Sequence, residues 1–95
     1  MSSSTFSHTL LVSAASPPPV TGRSAALACN ARGLALHRQG DRAGARVCFE
    51  EALAFDPTFA EAFNNRGLLR QHLGDPLGAG QDFAEAKRLG YRGED

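Results

Sequence analysis

Apolar positions are sparse up to about residue 24 and become periodic from Ala26 onward. Leu27, Leu34 and Ala35 recur at helical spacing up to Gly40, and Ala45, Phe49, Ala52 and Leu53 fall on one face of the stretch that follows. Gly40-Asp41 pairs a helix-ending glycine with a carboxylate suited to capping the next helix, and Gly74-Asp75 repeats the device. Pro76 follows at a first helical position, where a missing N–H removes no bond. Asp56-Pro57 closes the second helix, because the residue before a proline is pushed out of the helical region. Gly90 is expected to end the last helix after Lys87 and Arg88. The pattern predicts four helices, over 25–39, 42–54, 58–73 and 76–89.

A shift of 34 residues lays Ala26–Phe59 on Ala60–Gly93 with thirteen identities, among them Asn30/Asn64, Arg32/Arg66, Gly33/Gly67, Gly40/Gly74, Asp41/Asp75, Phe49/Phe83 and Ala52/Ala86. Chance gives roughly three, so the chain carries an internal repeat, each copy reading as helix, tight turn, helix. The expected division is a flexible Ser/Pro-rich tail over 1–24, repeats over 25–57 and 58–90, and a C-terminal tail over 91–95. Pro17-Pro18-Pro19 has fixed φ and no donors, which excludes a regular element there.

Cys29, Gly33, Ala45, Phe49, Ala52 and Pro57, and again Phe63, Gly67, Ala79, Phe83 and Ala86, match the pattern of the tetratricopeptide repeat (TPR) family. The chain resembles that family over about 65 residues, from roughly Ser24 to Leu89. The resemblance implies an all-α fold, two helix-turn-helix repeats stacked as a short right-handed α-solenoid, with those eleven residues packing the structure. Glycine inside a helix costs about 1 kcal/mol relative to alanine. Gly33 and Gly67 therefore need a compensating contact, expected from Ala45 or Ala52 across the hairpin with the phenylalanine beside it. Arg32 and Arg66 stand where the family carries a core leucine, and their stems are expected to cover the seam while the guanidinium reaches water.

In that family the first helix of each repeat lines a concave groove. Carried over by position, the groove presents Leu27, Asn30, Ala31, Leu34, His37 and Arg38, then Glu61, Asn64, Asn65, Leu68, Gln71 and His72. Asparagine both donates and accepts, so it suits the backbone of a peptide, and Leu34 and Leu68 offer apolar contact. The implied function is a protein–protein interaction module, an adaptor or scaffold accepting a peptide or helix. Members that grip a chaperone's C-terminal carboxylate place a lysine and then an asparagine in the first groove helix. Asn30 and Leu34 stand there instead, which argues against that subtype.

Against the first repeat, the last helix exchanges Val47, Cys48, Leu53 and Ala54 for Gln81, Asp82, Lys87 and Arg88, the polar outer face expected of a terminal repeat. Two repeats are fewer than the three or so usually needed, which makes weak self-association the alternative reading. Five arginines against one acid precede Glu50, and from Glu50 onward nine acids face five basic residues, with formal net charge +0. Neither nucleic acid nor a membrane is an expected partner for such a balance.

Candidate chemistry is thin. His37 and His72 each fall near a helix C-terminus and fit dipole-complementing surface residues. Cys29 and Cys48 lack a metal-ligand spacing and read as small packing groups. Nucleophile and phosphate-loop motifs are missing, so neither catalysis, cofactor nor metal is expected. Two thiols in a chain with no secretory pattern fit a reducing compartment and a cytoplasmic location. The alternative is organelle import through the Ser-rich, acid-free N-terminal segment.

Overall fold

The computed structural model describes residues 22–93; of the expected tails over 1–24 and 91–95, residues 1–21 and 94–95 lie outside them, and residues 22–24 are helical. Four helices follow one another: α1 (Gly22–Arg38), α2 (Arg42–Phe55), α3 (Ala60–His72) and α4 (Pro76–Arg88). No strand occurs among the described residues. Helix α1 begins at Gly22, earlier than the periodicity suggested, and α3 begins at Ala60 rather than residue 58 because Phe59 is extended and precedes it.

Both intra-hairpin turns are built as the Gly-Asp pairs require. Gly40 and Gly74 take φ of 88° and 81°, where a side chain is disfavoured. Each is followed by an aspartate whose carboxylate accepts from the backbone three residues on, Gly44 N to Asp41 Oδ1 and Gly78 N to Asp75 Oδ1, both at 2.9 Å. Such a cap is worth about 1 kcal/mol. The link between repeats uses Asp56 differently. It accepts from the Thr58 hydroxyl at 2.7 Å and from Arg23 Nη1 at 3.1 Å, and these bonds hold its carboxyl below the ordinary range. The Arg23 guanidinium lies 4.2 Å from the Phe59 ring centre, so one side chain joins the start of α1 to the turn between the repeats.

Helices pair within each repeat as antiparallel hairpins, and the repeats stack through α2 on α3 and α1 beside α3. Helices α2 and α4 do not touch. First helices that meet and second helices that do not give the stack an inner side formed by α1 and α3. Ala26, Ala52, Leu53, Phe59 and Ala62 form the core between repeats, with Cys29 and Phe63 against it. Ala45, Phe49 and Leu69 form a second cluster joined by Leu34 and Leu36. Phe59 is one of the largest fully buried side chains. The sequence reading had not placed it in the core.

The helix-interior glycines are explained by a contact other than the alanine one expected. A Cβ on Gly33 would lie 2.5 Å from Phe49 Cε1, and one on Gly67 would lie 2.6 Å from Phe83 Cε1. The ring itself, not Ala45 or Ala52, rests on the bare backbone. Ala45, Ala52, Ala79 and Ala86 are buried around it, as the repeat pattern implied. Phe63 and Phe83 are half-buried, and Pro57 is exposed, so it ends α2 without joining the packing.

Candidate peptide groove

The inner side of the stack combines exposed and sunken positions. Leu27, Ala31, Arg38, Glu61, Leu68, Gln71 and His72 are exposed, and Leu34, His37 and Asn64 are half-buried. Asn30 and Asn65 depart from the sequence expectation. They are only 5% and 7% exposed, and Asn65 Nδ2 donates to Asn30 Oδ1 at 2.8 Å. Neither amide presents itself to a ligand; the pair fastens α1 to α3 beneath their inner face. Leu34 joins the adjacent core cluster and forms part of the same floor.

Seven residues along each helix the seam is closed again. His37 Nε2 and His72 Nδ1 stand 2.9 Å apart, with ring centres 4.9 Å apart and planes at 61°. One of the two facing nitrogens carries the hydrogen. Burial, then His72, then Arg42 push the His37 pKa below its ordinary value, which favours the neutral ring such a bond needs. At the far end Asn64 Nδ2 donates to the Tyr91 hydroxyl at 3.3 Å. Asn64 is the repeat counterpart of Asn30, so Tyr91 occupies the role that Asn65 plays one repeat earlier.

The opposite surface carries a cluster that the sequence reading placed wrongly. Asp82, expected on the outer face, is 2% exposed. Arg66 reaches it through two bonds of 2.9 Å, and Arg70 Nη1 adds a third at 3.1 Å. Arg66 therefore does not extend its guanidinium into water, and the hydrogen bonds to Asp82 raise its pKa further. The complementary exchange of Leu36 for Arg70 and Cys48 for Asp82 between the repeats was the available signal. In the first repeat the same place is an open cleft of about 330 Å³ lined by Arg32, Leu36, Gly44, Val47, Cys48 and Glu51. Arg32 makes no hydrogen bond or ion pair among the described residues.

A larger cleft of about 580 Å³ lies at the C-terminal end, between Phe83, Lys87 and Gly90–Gly93. Both cysteines are free thiols, Cys48 buried and Cys29 half-buried. Burial foremost, with Glu51 and Cys48, pushes the Cys29 thiol up, which keeps it protonated and a poor nucleophile at neutral pH. No helix among the described residues is long and apolar enough to cross a membrane.

Comparison with known proteins supports the repeat reading. A family model described as "TPR repeat" matches residues 33–74, spanning the first turn, α2, the inter-repeat link and α3. Protein FlbA of Caulobacter vibrioides is 39% identical over 64 residues, which is 67% of this chain but 11% of that protein. The chain thus spans about a ninth of the length of that relative. No solved structure matches. Hairpins repeating at 34 residues, a phenylalanine lying on a glycine in each, and the family model over residues 33–74 lead to one assignment: the described chain folds as tetratricopeptide-type helical repeats.

Proposed function

We propose that the protein is an adaptor that binds a peptide segment of another protein along the inner face of α1 and α3. The observation that carries this reading is the composition of that face above the Asn30–Asn65 floor. Leu27 and Leu68 remain 48% and 42% exposed there, flanked by hydrogen-bonding side chains. Arg38, His37 and His72 cluster at the C-terminal ends of the two helices, and Glu61 lies at the start of α3. An extended peptide gains apolar contact at the leucines, and the unequal ends give it a preferred direction. Asn64, Gln71 and the imidazoles supply backbone and side-chain hydrogen bonds.

End-to-end self-association has less support. The cleft at the C-terminal end presents Lys87 and Arg92, and α1 contains no acidic residue to pair with them.

A photo-cross-linking residue at Gln71 or Leu68, compared with one at Val47 or Leu77 on the outer side, tests the proposal in cells. The expected outcome is a discrete adduct from the two inner positions and none from the outer two. Adducts from the outer positions alone would overturn the groove.

A further inference from the structure

We propose that His37 and His72 form a bidentate site for a divalent transition-metal ion, Cu²⁺ or Ni²⁺, that staples the two repeats together. The two rings come from different repeats, 35 residues apart, so no local spacing announces them. Their facing nitrogens are held at 2.9 Å by the packing of α1 against α3. Two nitrogens each about 2.0–2.1 Å from one ion lie about 2.9 Å apart in cis positions at 90°, and about 3.4 Å apart at the tetrahedral angle. The observed separation fits cis positions of a square or octahedral centre, the geometries Cu²⁺ and Ni²⁺ prefer, better than a tetrahedral one.

Loading the site requires a proton shift and a reorientation of both rings. The hydrogen shared between His37 Nε2 and His72 Nδ1 moves, through water, to the other nitrogen of its ring. Neither His37 Nδ1 nor His72 Nε2 has a hydrogen-bond partner among the described residues, so each is open to carry it. Each ring then turns by roughly 45°, because the hydrogen bond aims the two nitrogens at each other and cis ligands aim at a common point. His37 and His72 lie in the last turns of α1 and α3, whose negative ends favour a cation. The positive charge of Arg42 acts on His37 in the opposite sense.

No cluster of three or more His, Cys, Asp or Glu side chains among the described residues is placed to hold a metal. The remaining coordination positions therefore fall to water or to a donor from a bound peptide. A small scaffold commonly gains stability from a metal cross-link, and here the link closes the seam where the repeats meet along the groove. The site does not depend on a peptide occupying that groove.

Thermal unfolding of the full chain at pH 7.5, followed by circular dichroism, tests this with NiCl₂, CuSO₄ and MgCl₂. Metal bound only by the folded state raises the midpoint in proportion to its concentration over the dissociation constant. The expected result is a rise of several degrees with Ni²⁺ and Cu²⁺, reversed by EDTA, no change with Mg²⁺, and no rise in the His37→Gln/His72→Gln double variant. No rise in the wild type overturns the proposal, and so does an equal rise in the double variant, which would move the binding to His8 or the thiols. NMR of the wild type is independent of how the variant folds. Substoichiometric Ni²⁺ should broaden the His37 and His72 ring signals before any others, and selective loss of His8 or Cys29 signals instead would refute the site.

Discussion

The two repeats share a backbone plan and seal their hairpins with opposite chemistry. In the first, Leu36 and Cys48 line a cleft beside an unpaired Arg32, and Phe49 is fully buried in a cluster with Leu69 of the second repeat. In the second, the equivalent positions hold Arg70, Asp82 and Arg66 as an ion cluster, and Phe83 is only half-buried. No helix packs beyond α4 among the described residues, and Lys87 stands where Leu53 gives the first repeat its apolar contact. The terminal hairpin thus has less apolar area to hide. It relies instead on a buried carboxylate gripped by two guanidinium groups, a stronger grip than a neutral hydrogen bond provides.

The largest effect expected from that contrast is at Asp82. Breaking a fully buried ion pair costs about 3–5 kcal/mol; Arg66 and Arg70 are 18% and 25% exposed and can turn to water, so about 2–3 kcal/mol is expected here. Asp82→Ala should lower the urea midpoint accordingly, with Arg66 and Arg70 left facing each other. Cys48→Ala, at the equivalent place in the first repeat, removes one small apolar group and should cost about 1 kcal/mol. Equal costs at the two positions would show that the cluster contributes no more than ordinary packing.

The glycine contacts sharpen the comparison next. Alanine at Gly33 or Gly67 gains about 1 kcal/mol of helix propensity. It also places a methyl group 2.5 or 2.6 Å from a phenylalanine ring. Overpacking of this kind costs about 1–3 kcal/mol when the ring cannot move. Phe49 is enclosed on all sides, whereas Phe83 borders the cleft at the C-terminal end and has room to shift. Gly33→Ala is expected to destabilise by about 2 kcal/mol and Gly67→Ala by about half of that, both read from chemical denaturation. The reverse order would mean that the end of the solenoid is the more rigid region.

Much of this architecture was legible in the chain. The Gly-Asp turns and the 34-residue identities specify local geometry, which is decided by residues close in sequence. The seam between repeats was not legible in the same way. Repeat equivalence pairs Asn30 with Asn64, but contact across the stack pairs Asn30 with Asn65 and His37 with His72, a step of 35. Superposition identifies which residues play the same part in each hairpin; it does not say which meet when one hairpin lies on the next. Asp82 was misplaced for a related reason. Its polarity suggested solvent, and only the simultaneous arrival of Arg70 on the facing helix reveals that the charge is paired. Of the two leucines expected to offer apolar contact, Leu68 is exposed and Leu34 packs into the core, while Asn30 and Asn65, expected to face a ligand, bond each other and belong to the scaffold.

The smallest expected effect concerns how each repeat satisfies its groove asparagine. In the first repeat a buried amide from the neighbouring helix does so at 2.8 Å. In the second, the chain turns back through Gly90, at φ 100°, and Tyr91 supplies the partner at 3.3 Å in a half-buried setting. A neutral hydrogen bond contributes about 0.5–1.5 kcal/mol, with the lower part of that range for longer, wetter bonds. Asn65→Ala should therefore cost about 1 kcal/mol, since it leaves the buried Asn30 carbonyl without its donor. Tyr91→Phe should cost about 0.5 kcal/mol, because water can reach Asn64 in its place. Hydrogen exchange makes the distinction local: Asn65→Ala should quicken exchange in both α1 and α3, while Tyr91→Phe should act only on the last turn of α4. If Tyr91→Phe instead loosened both repeats, the tyrosine would be a structural substitute for a third repeat, and the terminal hairpin would depend on its cap more than on its ion cluster.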